Sequence, residues 1–172
     1  VCDTIYEYNS KNYTFEPYVC FNFGKHKSNL NFNPDSENKD VITVGSLTEN
    51  NEYVFLEFAT AKASPEPFEE EGWRNGWVTF TNHSIYAIYD KDDKNFSFLY
   101  QPVPGIKGRG NDIDKGIPFW PKYISTNNEF IDYMHAYKFL ECANKISDSN
   151  VSFKEFADIV DEEDNPIIMI AY

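Results

Sequence analysis

Gly108-Arg109-Gly110-Asn111-Asp112-Ile113-Asp114-Lys115-Gly116-Ile117-Pro118-Phe119-Trp120-Pro121-Lys122-Tyr123-Ile124-Ser125 divides the chain in two. Upstream, short aromatic and β-branched runs alternate with turn residues, which is the pattern of antiparallel strands. Downstream, apolar residues recur at helical spacing until one last apolar run. Between them, three glycines and two prolines in one stretch predict an irregular connection that leaves a sheet and enters a helix.

Working upstream, Asp3–Tyr8 and Pro17–Phe23 read as a hairpin across Asn9-Ser10-Lys11-Asn12. Lys25–Lys39 is polar and reads as loop. Val41–Leu47 and Glu52–Ala59 form a second hairpin. Its run Tyr53-Val54-Phe55-Leu56-Glu57-Phe58 is almost continuously apolar, as in a strand covered on both faces. Ala61–Arg74, with two prolines and the acid run Glu69-Glu70-Glu71, reads as loop. Trp77–Thr81 and Ser84–Tyr89 are expected to pair through Asn82-His83, followed by a strand over Asn95–Gln101.

Downstream, Thr126-Asn127-Asn128-Glu129 has the form of a capping box and predicts a helix reaching about Ile146. Ser152-Phe153-Lys154-Glu155 repeats that form before a stripe of Phe153, Phe156, Ala157 and Val160. After the break at Asp161–Pro166, Ile167–Tyr172 reads as a buried strand. The expected division is strands over 1–101, a connecting loop over 102–125, a helical insert over 126–161 and a closing strand over 166–172. All lie within one domain or a piece of a larger one.

Composition narrows the function. The chain has 172 residues, 17% of them aromatic, with 28 Asp and Glu against 15 Lys and Arg. A formal net charge of -13 argues against binding nucleic-acid phosphates or anionic membrane surfaces. No run approaches the ~18 apolar residues of a membrane helix. The chain opens inside a strand pattern without an initiator Met. It is therefore expected to be a processed product or a piece of a longer polypeptide. Three cysteines are too few for a disulfide framework. A hairpin centred on Lys11 would set Cys2 opposite Cys20, as a bridge or as two buried thiols.

One internal echo suggests repetition. Thr4-Ile5-Tyr6 and Ser84-Ile85-Tyr86 each open a strand, two periods of ~40 residues apart, about the length of a four-stranded propeller blade. The segment Asn111–Tyr123 resembles the C-terminal signature of a family of six-bladed β-propeller proteins, predicted lipoproteins of Bacteroides and related gut bacteria. Glu163-Asp164-Asn165-Pro166-Ile167-Ile168-Met169-Ile170 resembles that family's last strand. Asp3–Tyr6 with Phe21–Lys25 resembles one of its inner hairpins. Family members are longer, with a lipoprotein signal and further blades, so the resemblance is to their C-terminal half. It implies partial propeller blades with a two-helix insert and a closing strand, at the periplasm or cell surface. The family has no assigned function, so it supplies no catalytic residues.

The candidate contact residues lie in the dividing segment: Arg109, Asn111, Asp112, Asp114 and Trp120. Asn111, Asp112 and Asp114 cluster oxygens of the kind Ca²⁺ prefers, and the same residues also shape turns by bonding their own backbone. Trp120 either stacks on a sugar or peptide or plugs the core. Asp90, Asp92 and Asp93 fail the EF-hand pattern, and His26, His83 and His135 share no ligand spacing. No nucleophile, zinc or phosphate-loop motif is present. The leading expectation is a non-catalytic, extracytoplasmic recognition or scaffold protein binding a glycan, a peptide or a protein partner, whose exposed blade edges invite association. The alternatives are a cation-dependent lactonase-like hydrolase using Asp112 and Asp114, and a purely structural interaction module.

Overall fold

A computed structural model describes residues 4–26, 41–60, 64–73, 76–100, 105–146 and 149–172. Cys2, Arg74-Asn75 and most of the polar stretch through Lys39 lie outside the described residues. The first strands, β1 (Thr4–Asn9) and β2 (Thr14–Cys20), form the expected hairpin. Its turn is wider than a centre at Lys11 requires, with Tyr13 at φ 59°. A bulge between Ile5 and Tyr6 then shifts the register. In consequence Cys20 faces Thr4 and not Cys2, which corrects the pairing inferred from simple numbering. Strand β2 also ends earlier than predicted. Phe21 and Phe23 leave the ladder as a stacked pair before a 3-10 turn at Gly24–His26.

Six strands follow: β3 (Ile42–Glu49), β4 (Tyr53–Thr60), β5 (Phe68–Trp73), β6 (Trp77–Asn82), β7 (Ser84–Asp90) and β8 (Asn95–Leu99). Four of them make an antiparallel sheet in the order β3-β4-β7-β8. The other two form a separate ribbon inserted between β4 and β7. Two expectations are corrected here. The stretch read as loop over 61–74 contains β5, and β6 pairs with β5 instead of β7. Glu69, the first residue of the acid run, is exposed on this ribbon and accepts a 2.8 Å bond from the Thr81 hydroxyl. Asn82 closes a local turn by accepting from the Ser84 N–H at 2.7 Å, which redirects the chain into β7.

The predicted helix over 126–146 is also corrected. Its first part is instead β10 (Phe130–Met134), the middle strand of a second antiparallel sheet of order β11-β10-β9 completed by β9 (Tyr123–Ile124) and β11 (Ile167–Ala171). The capping-box residues serve a β-turn instead. Ser125 Oγ donates to Glu129 at 2.8 Å and accepts from the Glu129 N–H at 3.2 Å, while Asn128 takes the left-handed conformation at φ 69°. Asn128 then docks on the β3–β4 turn, accepting from the Asn51 N–H at 3.1 Å. This tertiary contact is absent from any local helix signal. Helix α1 (Ala136–Ala143) starts after His135. Helix α2 (Val151–Ile159) is capped by Asn150, not Ser152, through a 2.9 Å bond from the Phe153 N–H. The closing strand pairs with β10 and alternates in exposure, with Ile168 and Ile170 outward, so it is not buried on both faces.

Three apolar clusters hold these pieces together. Strand β4 contributes to two of them, as its sequence predicts. Val54, Leu56 and Phe58 join Ala87 on one face, which Phe21 and Phe23 cover edge-on against Phe58. Phe55, Tyr86 and Ile88 pack on the other face against Trp120 and Phe130, which brings the second sheet onto the first. Ile106 and Ile117 tie the dividing segment to Phe139, Cys142 and Phe153 of the helices.

Candidate functional site

The dividing segment folds back on itself. Arg109 and Phe119 exchange two backbone hydrogen bonds of 2.9 Å. Gly108 makes this approach possible: it holds φ 132°, and a Cβ there would sit 2.7 Å from the Phe119 carbonyl oxygen. Beyond the bridge, Asn111 Oδ1 accepts from the N–H groups of Ile113 and Asp114, at 3.1 and 3.3 Å. Asp114 Oδ1 accepts from Gly116 N–H at 2.7 Å, and the Asp114 carbonyl accepts from Asn150 N–H at 2.9 Å. A Cβ at Gly116 would collide with the Phe153 ring, so the tip is pressed onto α2.

These bonds place the sequence candidates. Asn111 and Asp114 have an oxygen committed to the backbone, the turn-shaping use of such residues. Asp112 is exposed, and its carboxylate has no hydrogen bond or ion pair among the described residues. Arg109 is exposed as well. Trp120 is 4% exposed, edge-on to Phe55 and Tyr86 with ring centroids 5.4 and 4.8 Å away. Its indole plugs the core between the sheets. Among the described residues, no three His, Cys, Asp or Glu side chains gather where they could hold a metal ion.

The structure adds a polar cluster that the sequence reading missed. Glu57, on β4, accepts from Ser84 Oγ at 2.8 Å, Ser46 Oγ at 3.2 Å and the Tyr86 hydroxyl at 3.4 Å. Lys107, immediately before Gly108, brings its ammonium to 3.8 Å from Glu57 and 5.6 Å from the Tyr86 ring centroid. The side chains of Lys107 and Glu57 keep 38% and 20% of their exposure, so water reaches both. The clue in the sequence was Glu57 itself, the one charge inside the apolar run of β4. Ser84 and Tyr86 are themselves buried, so the site presents to solvent the Glu57 carboxylate, the Lys107 ammonium and the Ser46 hydroxyl. It suits hydrogen-bonding recognition.

The fold and site together define a class: a mainly antiparallel β domain of small stacked sheets with two helices, carrying a polar patch at the sheet surface. The chain belongs to a family described as a domain of unknown function (DUF4934), whose model matches residues 1–172. No curated protein and no solved structure matches it.

Proposed function

We propose that this domain is part of a β-propeller, the C-terminal portion of a six-bladed one, acting outside the cytoplasm as a non-catalytic recognition or scaffold protein for a glycan, a peptide or a protein partner. The sheet β3-β4-β7-β8 carries this reading. It is a four-stranded antiparallel sheet with apolar residues packed on both faces, Phe55, Tyr86 and Ile88 on one and Val54, Leu56 and Phe58 on the other. A sheet in a two-layer sandwich keeps one face wet, whereas a blade is covered by a neighbour on each side. The periplasmic or cell-surface setting and the lipoprotein relationship rest on the resemblance of Asn111–Tyr123 and Glu163–Ile170.

The contact surface in this reading is the patch of Lys107 and Glu57 with the exposed Arg109 and Asp112. Asn111 and Asp114 hold the loop, and Trp120 holds it against the sheets. The test is a glycan array and a peptide and protein pull-down with wild type and Lys107→Ala. Binding that Lys107→Ala weakens at least tenfold supports the reading. Binding unaffected by Lys107→Ala removes the patch, and a wild type that captures nothing specific removes recognition.

A further inference from the structure

The β1-β2 hairpin stands apart from the three apolar clusters. None of its positions from Thr4 to Cys20 is buried, and none belongs to a cluster. Its cohesion comes from its own ladder and from the rings of Tyr8 and Phe15, whose centroids lie 5.2 Å apart. Glu7 facing Glu16 works against it, because like charges directly opposite repel. Among the described residues, one hydrogen bond leads from the hairpin to the rest of the chain, the 2.6 Å bond from the Tyr18 hydroxyl to Glu49. The main sheet fixes the receiving side of that bond. Glu49 ends β3, and the Lys91 ammonium after β7 lies 3.0 Å from its carboxylate while donating to the Asn50 carbonyl. Just past the hairpin, Phe21 and Phe23 are set edge-on to Phe58, with ring centroids 5.7 and 5.8 Å away.

We infer that the β1-β2 hairpin is a hinged arm with a single catch. It leaves the main sheet as a unit while β3-β4-β7-β8 stays folded, and the Tyr18–Glu49 hydrogen bond closes it. The pivot lies between Cys20 and Phe21, because the packing on Phe58 begins at Phe21. Opening breaks one bond and uncovers little apolar surface, since Tyr6, Tyr8, Phe15 and Tyr18 are already 49%, 50%, 70% and 43% exposed. Segments with few buried apolar contacts and solvent-exposed backbone bonds open more readily than the whole fold. Glu49 keeps Lys91 when the arm leaves, so opening strands no carboxylate. The three clusters lose no member, and the core survives the movement. A two-stranded hairpin alone is marginal in water, so the released arm frays and its amides exchange with solvent.

The test is hydrogen–deuterium exchange of the whole chain at neutral pH, followed in peptides from β1-β2 and from β4 and β7. Two conservative variants accompany wild type. Tyr18→Phe removes the catch at an exposed position, and Ile88→Val trims the core of the main sheet and leaves the hairpin untouched. The hairpin amides are expected to be protected, yet less so than those of β4 and β7, and to respond less to low urea, because opening exposes little surface. Tyr18→Phe should speed hairpin exchange about fivefold. Ile88→Val should speed β4 and β7 exchange about fivefold and leave the hairpin rate unchanged. A hairpin that Ile88→Val accelerates as much as β4 opens only with the whole fold, which overturns the proposal. Hairpin amides unmoved by Tyr18→Phe, or unprotected in wild type, overturn it too, because the bond is then not a catch. None of these outcomes depends on whether the domain binds a glycan, a peptide or a protein.

Discussion

The hydroxyl of Tyr18 donates a 2.6 Å hydrogen bond to Glu49 across two different sheets. Tyr18 is the residue that the β2 bulge leaves without a cross-strand partner, which frees its ring to reach β3. Glu49 also receives Lys91 at 3.0 Å, and Lys91 donates to the Asn50 carbonyl at 2.6 Å. The hairpin is thus held to the main sheet by a short polar chain. Through Asn50 and Asn128, that chain continues to the second sheet.

This relationship predicts an alkaline transition. The hydrogen bond to Glu49, then burial, then the Glu49 charge push the Tyr18 hydroxyl up from 10.0 to about 12. The group is neutral when protonated and its folded value is raised. Its contribution is therefore complete below pH 10 and is lost as pH rises through about 12. Tyr18→Phe should cost about 1 kcal/mol at neutral pH. Melting curves should show the gap between wild type and variant closing over that alkaline window. A gap that stays constant would remove the assignment.

Gly108→Ala should destabilise the domain by about 2 kcal/mol or more, because it adds an atom against the Phe119 carbonyl and holds a left-handed residue at φ 132°. Urea unfolding measures this. A midpoint matching wild type would mean that the Arg109–Phe119 bridge is not maintained in solution.

Trp120 and Asp112 lie eight positions apart in one loop and should respond in opposite ways. Trp120→Ala empties the space between Phe55 and Tyr86 and should cost about 3–5 kcal/mol. Asp112→Asn alters an exposed side chain and should stay within about 0.5 kcal/mol, with or without Ca²⁺. A calcium-dependent rise in melting temperature that Asp112→Asn abolishes would instead support the cation reading.

Lys122 and Asp132 meet at 2.6 Å, with the Asp132 side chain only 6% exposed. Lys122→Met leaves that carboxylate with the Tyr133 N–H, at 2.8 Å, as its remaining bond among the described residues. The loss should be about 2 kcal/mol, below that of a fully buried pair because Lys122 stays partly wet. Adding Asp132→Asn should recover part of the loss. Purely additive losses in this double-mutant cycle would show that the pair is not coupled.

Thiol labelling should separate two cysteines. Cys142 is 4% exposed, and burial pushes its thiol pKa up, which leaves little thiolate at neutral pH. Cys20 is exposed and free. Brief treatment of the native chain, followed by peptide mapping, should find the label on Cys20 and reach Cys142 only after denaturation. Early labelling of Cys142 would show that the helix cluster around Phe139 opens readily.

Sequence alone determined the parts that depend on local chemistry. The apolar run of β4, covered on both faces, was legible because six adjacent positions carry the signal. So were the β1-β2 hairpin, the second helix and the character of 108–125 as a glycine-shaped connection. Tertiary structure decided what local patterns leave ambiguous. Thr126–Glu129 suits a helix cap and a β-turn equally, and the docking of Asn128 on the β3–β4 turn chose the turn. The acid run of β5 lacked any apolar alternation, and only pairing with β6 made it a strand. The partners of β7 depend on which strand reaches it across an inserted ribbon, a distance no short window spans. The Glu57 cluster draws residues from β3, β4, β7 and the loop after β8, and long-range packing alone brings four such segments to one carboxylate.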